Sequence, residues 1–206
     1  MILIDFDGTI TDVWPRFYSV FTELLGLTDV SLEQYREVKQ KSRRDADVAA
    51  YFGKELPEEY FSRKKDMLEE KAFLLKDTLY FYPETINGWL VKGTRILTKR
   101  RKPDCFFWQL DRLGIQPMAY VVTDLSKKEW IERNTDQRTK TIIIGDSEAE
   151  IQAGELPNVE AWLVGYGLTS REHFDSYHIP YRYFDTPGQL QQAITETITS
   201  LCNSGI

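Results

Sequence analysis

The apolar and polar positions of this chain fall into two textures. Ile2-Leu3-Ile4 is apolar at every position, the pattern of a strand buried on both faces in a parallel sheet. From about Val13 to Tyr82 the spacing becomes helical. Phe17, Val20, Phe21, Leu24 and Leu25 recur at three- and four-residue intervals, Pro15 suits a first helical turn, and Gly26 suits the stop. Ser31-Leu32-Glu33-Gln34 reads as a capping box opening a second helix. A short third helix is expected from Ala46 to Phe52, stopped by Gly53, and a long fourth from Pro57 to about Leu75. Four helices with no strand between them predict a small helical subdomain. Its aromatic residues, among them Trp14, Phe17, Phe21, Tyr35 and Tyr60, read as helix packing, with one or two turned toward a ligand.

Past Pro83 strands and helices alternate. Thr94 to Thr98 reads as a strand after a helix stop at Gly93, and Asp104 to Leu113 as a helix ended by Gly114. Ala119 to Val122 is a strand, and Ser126-Lys127-Lys128-Glu129 is another capping box, opening a helix to about Asn134. Thr141 to Ile144 is the clearest strand and leads at once into Gly145-Asp146. Glu160 to Val164 is a further strand, and Pro187 to Leu201 a C-terminal helix. The alternation predicts an α/β fold with a parallel sheet and right-handed crossovers. Ligands of such sheets bind outside the carboxyl ends of the strands. Asp5, Thr98 and Asp146 each fall at a predicted carboxyl end.

Composition narrows the partners. The 206 residues are 42% hydrophobic and 28% charged, as in ordinary globular chains, so one domain with an insertion or two small domains are expected. A net charge of −6 disfavours nucleic acid and anionic membrane. No apolar run approaches the roughly 20 residues that span a bilayer. No basic segment followed by an apolar one opens the chain as in a signal peptide, and two cysteines, Cys105 and Cys202, do not make a disulfide framework. A cytoplasmic location is expected.

The chemistry begins at Asp5-Phe6-Asp7-Gly8-Thr9. Alternate residues of a strand share a face, so Asp5 and Asp7 reach one site, and Gly8 lets the backbone approach a ligand closely. The pair suits an aspartate nucleophile with a second acid beside it. An Asp-Gly turn is the plainer alternative, but two adjacent carboxylates repel unless a cation neutralises them. Gly145-Asp146-Ser147-Glu148-Ala149-Glu150 places two carboxylates at i and i+4, a hard-oxygen set that suits Mg²⁺; helix capping by Asp146 is its plain alternative. A hydroxyl at Thr98 can hold a phosphate oxygen. Lys99 to Lys102 read as a solvated basic face, while Lys127 at a helix start can neutralise a phosphate and a carboxylate together. His173 and His178 lack metal-ligand spacing and read as structural.

In order and position these segments resemble the haloacid dehalogenase superfamily of phosphohydrolases. Its pattern is DxDGT at the first strand, a Ser or Thr ending the second, a Lys near a helix start, and GDxxxD or GDxxxE at a later strand. Here they are Asp5 to Thr9, Thr98, Lys127 (preferred to Lys128 because Lys127-Lys128-Glu129 matches a Lys-x-Glu helix start) and Gly145 to Glu150. The resemblance implies a Rossmann-like three-layer α/β/α core over residues 1–12 and 83–206, with a helical cap inserted over 13–82. It implies a phosphatase acting on a small phosphorylated metabolite with Mg²⁺ as cofactor. Asp5 is then the nucleophile, Asp7 the acid and base, and Thr98 and Lys127, with Gly8 and Thr9, the phosphate holders. Asp5, the Asp7 carbonyl and Asp146 would hold the metal, with Glu150 reaching it directly or through water. A phosphomutase shares all these segments, and a non-catalytic binding protein that kept the fold is the alternative from another class. A dehalogenase has no need of Asp7, and a phosphonatase carries DxAGT.

Overall fold

The fold is that of a computed structural model describing residues 1–42, 44–117, 120–136 and 138–203. Among the described residues six strands form one parallel sheet in the order β5-β4-β1-β6-β7-β8. They are β1 (Ile2–Ile4), β4 (Thr94–Thr98), β5 (Tyr120–Val122), β6 (Thr141–Gly145), β7 (Val159–Val164) and β8 (Tyr181–Phe184). Ile4 pairs with Ile96 on one side and Ile144 on the other, so β1 lies between β4 and β6, where the strand order reverses. A crevice opens at the carboxyl ends at such a reversal.

Two-residue alternation assigns the faces. Ile2, Ile4 and Phe6 join one hydrophobic cluster and Leu3 another. The first is covered by α6 (Pro83–Val91), α7 (Pro103–Arg112) and α11 (Pro187–Asn203), through Trp89, Phe106 and Ile194. Phe6 meets Phe106 edge-on at 5.1 Å. The Leu3 face is covered by α8 (Lys127–Asn134) and α9 (Glu148–Ala153), through Ile131 and Ala153. With α10 (Arg171–Asp175) beside α9's face, helices flank both sides of the sheet.

Residues between β1 and α6 form a second cluster. The helices are α1 (Trp14–Leu25), α2 (Leu32–Lys41), α3 (Asp45–Tyr51), α4 (Tyr60–Met67) and α5 (Lys71–Leu74). Trp14, Phe21, Tyr35 and Tyr60 pack together there, so these aromatics are core, while Tyr51 and Phe61 are exposed. The signals at the ends of these helices act as their chemistry dictates: Gly26 adopts φ +60° after α1, and Ser31 and Gln34 exchange both capping-box hydrogen bonds.

Three expectations are corrected. The long fourth helix is broken into α4 and α5, because Glu69 turns its carboxylate to the backbone N–H groups of Arg101 and Lys102 (3.1 and 2.6 Å). The helical segment is not free of strands at its margins: β2 (Thr11–Asp12) pairs antiparallel with β3 (Thr78–Leu79), tying its two ends together. The edge strand β8 has no counterpart in the sequence reading, since Tyr181-Arg182-Tyr183-Phe184 shows no apolar run. Ala119, expected to start β5, lies outside the described residues. No helix among the described residues is long and apolar enough to cross a membrane.

Candidate active site

The end of β1 delivers its carboxylates through a tight loop. The Asp5 N–H donates to the Ile144 carbonyl (2.8 Å), keeping Asp5 in register with β6 after the strand ends. The Phe6 carbonyl then accepts from the Ile10 and Thr11 N–H groups and the Thr11 hydroxyl, which fixes the loop that carries Asp7. Tyr166, just beyond β7, donates its hydroxyl to the Thr9 carbonyl (3.2 Å), and its own carbonyl accepts from Trp14 and Tyr80.

Asp5 continues the parity of Leu3, the face covered by α8, and α8 supplies its partner. The Lys127 ammonium lies 2.8 Å from Asp5 Oδ1 and also bonds Glu150 Oε1. Ser126 caps α8 and fixes Lys127 as its first residue. Lys128 instead points away to Glu155 (2.6 Å). Glu150 is fully buried, and its second oxygen accepts from the Ser147 N–H (3.0 Å) and hydroxyl (2.6 Å). Glu150 thus has both oxygens occupied, by Lys127 and by the cap of α9. That cap is Ser147, not Asp146.

Asp146 is left free for other work. One oxygen accepts the Leu168 N–H (2.8 Å), and no ion pair holds the buried carboxylate among the described residues. Gly8, at φ +74°, and Gly167 flank it, and a Cβ on either would collide with it. Burial pushes the Asp146 carboxyl well above its ordinary range, helped by the charge of Asp5, while Leu168 and Lys127 pull the other way. Burial likewise raises Asp5 to about 6, against the pull of Lys127. Burial opposes the charge on Lys127, but Asp5 and Glu150 outweigh it and hold the ammonium above its usual range. Asp5 and Asp146 both resist ionisation, and glycines crowd only Asp146, so the pair fits a divalent cation: hard oxygen donors are present and Lys127 is the one cation against them among the described residues.

Asp7 sits in different surroundings. Its Oδ1 accepts from Arg16 on α1 (2.5 Å) and from Arg100 past β4 (2.7 Å). Behind it the pair is braced: Arg100 donates to Gln109 (3.0 Å), Gln109 donates to Asp77 (2.6 Å), and Arg16 lies 3.2 Å from Asp77 and donates to the Leu68 carbonyl. Burial alone would raise Asp7, but Arg100 and Arg16 override it and hold its carboxyl below the usual range. Burial raises Asp77 to about 7 despite Arg16. The solvated-face reading of Lys99 to Lys102 is therefore corrected at Arg100, which is 6% exposed. No local motif marks Arg16, Asp77 or Gln109 in the sequence.

Thr98 ends β4, buried, and its hydroxyl makes no hydrogen bond to another described residue. The Gly8 N–H is already given to the Thr11 carbonyl (3.0 Å). The Thr9 hydroxyl is buried without a partner among the described residues. His173 contacts Glu148 at 2.7 Å on the surface, and His178 takes φ +55°. Two clefts flank the carboxylates. One, of about 370 Å³, lies between Phe17, Lys39 and Lys64 of the helical segment and Ser147 and Leu168 of the core. The other, of about 360 Å³, opens over Asp7 between α1, α4 and the segment after β4.

No family model matches the sequence, and neither does any curated protein. Solved structures do match over nearly the whole chain. A predicted phosphatase from Clostridium acetobutylicum is 18% identical with a TM-score of 0.63, over 95% of this chain and 97% of that one. A predicted phosphoglycolate phosphatase from Haemophilus somnus is 16% identical with a TM-score of 0.63, over 94% and 97%. A HAD family hydrolase from Deinococcus radiodurans, solved with bound phosphate and sodium, is 15% identical with a TM-score of 0.61, over 95% and 94%. The chain therefore has the α/β fold of these haloacid dehalogenase-like hydrolases.

Proposed function

We propose that the protein is a Mg²⁺-dependent phosphomonoester hydrolase that works through an aspartyl phosphate on Asp5 and acts on a small phosphorylated metabolite. The observation that carries this reading is the set gathered at the carboxyl edge of the sheet: Asp5 against Lys127 at 2.8 Å, with the unpaired carboxylate of Asp146 beside it. Its neighbours in fold with phosphatase in their names point the same way.

A phosphate monoester and a carboxylate repel, so attack needs positive charge at the reacting atoms. Asp5, Asp146 and the Asp7 carbonyl would hold Mg²⁺, which supplies that charge to the phosphoryl oxygens when bound. Glu150 holds Lys127 in place rather than reaching the metal, since both its oxygens are engaged. Lys127 keeps Asp5 aimed and neutralises a phosphoryl oxygen, and the Thr98 hydroxyl donates to another. Asp5 attacks phosphorus and the ester oxygen leaves. In its pairing with Arg16 and Arg100, Asp7 is a carboxylate, the form that takes a proton from the water attacking the aspartyl phosphate. Donating a proton to the leaving group requires the hold of Arg100 and Arg16 to loosen, and withdrawal of Arg16 would raise the proton affinity of Asp7 part of the way. Arg16 stands on α1, so the helical cap couples its own position to the protonation of Asp7.

The test is hydrolysis of para-nitrophenyl phosphate by wild type and Asp5→Asn, each with Mg²⁺ and with chelator. Mg²⁺-dependent turnover in wild type only is expected, with both proteins folded. Near-normal turnover by Asp5→Asn would overturn the nucleophile.

A further inference from the structure

The cleft over Asp7 is electropositive on a chain whose net charge is −6. Five cationic side chains line it: Arg16, Lys65, Lys99, Arg100 and Arg101. Two carboxylates, Asp7 and Glu69, oppose them. Both carboxylates are already answered. Asp7 is held by Arg16 and Arg100, and Glu69 by the Arg101 and Lys102 N–H groups with the Arg101 guanidinium 3.6 Å away. Lys65 and Lys99 are exposed and make no ion pair among the described residues; the carboxylate that Lys99 does sense, Glu129 on α8, is already held by the Ser126 N–H and hydroxyl. The other cleft differs on this point, because its lysines, Lys39 and Lys64, are both spent on Asp45.

The position of this surplus matters as much as its size. The phosphoryl group belongs with Asp5, Lys127 and Thr98, whereas Asp7 faces the leaving-group oxygen in the proposed reaction. Unpaired ammonium groups in the cleft that contains Asp7 therefore lie along the leaving group, beyond the phosphate. A neutral alcohol there would leave Lys65 unanswered and Lys99 with only its distant attraction to Glu129. An anion receives charge-assisted hydrogen bonds, and nearby positive charge also draws it in.

We infer that the substrate's leaving group carries a second anionic group, a carboxylate or a second phosphate, which Lys65 and Lys99 bind. The inference rests on the phosphatase reading and names the substrate class for it. Lys65 comes from α4 and Lys99 from the end of β4, so an anion between them also joins the helical segment to the core.

The experiment compares matched pairs of esters: 2-phosphoglycolate against ethyl phosphate, and propane-1,3-diol bisphosphate against propyl phosphate. kcat/KM is measured for wild type, Lys65→Ala, Lys99→Ala, the double variant, and Lys128→Ala as a surface control. Charge-assisted contacts of this kind give about 10- to 100-fold preference for the doubly anionic member, mostly in KM. The double variant brings that ratio toward one, and Lys128→Ala leaves it in place. The pair that shows the larger ratio distinguishes carboxylate from phosphate. The same esters are titrated by calorimetry into Asp5→Asn, where binding is read without turnover. Hydrolysis of both members with a ratio near one, or a ratio that the double variant does not move, overturns the second-anion inference alone. Preferential binding with no hydrolysis of any ester by wild type overturns the phosphatase reading alone. Neither hydrolysis nor preference overturns both.

Discussion

Replacing Lys127 with methionine tests the electrostatics of the site through stability, with no assumption about substrate. Lys127 is 6% exposed and is the one cation paired with Asp5 and with Glu150 among the described residues. Methionine matches the length of the stem and removes the charge, leaving two buried carboxylates. Glu150 keeps its bonds from Ser147, but Asp5 keeps no cation. Removing one partner of a buried ion pair costs about 3–5 kcal/mol. For a chain of this length that lowers Tm by about 6–20 °C. The cost must also depend on pH. Asp5 has a folded pKa raised to about 6 even with Lys127 present, and loses its main opposing charge in the variant. A carboxyl with a raised folded pKa binds its proton more tightly in the native state, so native stability is regained as pH falls. The deficit of Lys127→Met against wild type is therefore large at pH 8 and shrinks toward pH 5. Urea or thermal unfolding followed by circular dichroism in chelator, at both pH values, measures it. Lys128→Met, which removes an exposed pair with Glu155, should unfold at the same midpoint as wild type at either pH. A Lys127→Met protein as stable as wild type at pH 8, or a deficit that does not change with pH, refutes the reasoning.

Two further outcomes are expected. The chelated wild-type protein should be more stable at pH 5 than at pH 7.5: Asp5 (about 6) and Asp77 (about 7) are both raised, so the native state holds protons that the unfolded chain has released and stability falls as pH rises through this window. The difference is on the order of 2–4 kcal/mol by linkage, Mg²⁺ should reduce it at pH 7.5, and chemical denaturation at the two pH values with and without Mg²⁺ reads both effects; a stability that rises from pH 5 to 7.5 in chelator contradicts the buried carboxylates. Gly167→Ala places a methyl group against Asp146, so it should remove Mg²⁺-dependent turnover and cost about 1–3 kcal/mol through overpacking, and wild-type kinetics in a stable Gly167→Ala protein would show that the cradle is loose.

What the sequence makes legible is whatever local chemistry decides. β1 and β6 hold apolar runs that lead into an aspartate, β4 carries Ile96-Leu97 into Thr98, and the helix ends carry glycines or capping boxes that act through neighbours three or four positions away. Those signals are complete within a few residues, so Asp5, Thr98, Lys127 and Asp146 could be set at strand and helix ends before any coordinate was known. β8 is harder, because an edge strand has one neighbour and little apolar demand. It holds itself partly by Arg182 stacked over Trp162 at 4.9 Å, a contact between strands that leaves no pattern in either segment alone. The split of the fourth helix has the same origin. Nothing in the run from Pro57 to Leu75 forbids a continuous helix, and the break is set by Glu69 reaching across to Arg101 and Lys102.

The arginines on Asp7 show where local reading stops and what extends it. Asp7 and Arg100 are 93 residues apart, and the charge run containing Arg100 is divided by the fold: Lys99 stays exposed while Arg100 is buried against Gln109 and Asp7. A basic run after a strand is ordinarily solvated, so composition alone gives no reason to separate its members. Geometry does. The i, i+2 relation that brings Asp5 and Asp7 to one site also relates Thr98 to Arg100, on the neighbouring strand and at the same end of the sheet. A buried carboxylate at the end of β1 needs positive charge, and the continuation of β4 can supply it without crossing the sheet. Arg16 follows by a different route, since it lies in the first turn and a half of α1, directly after the ribbon that starts beside Asp7. The first carboxylate is thus answered from α8 and the second from β4 and α1. That division leaves one acid bound to the core and the other bound partly to the helical segment, which is the asymmetry that the proposed nucleophile and the proposed proton carrier would need.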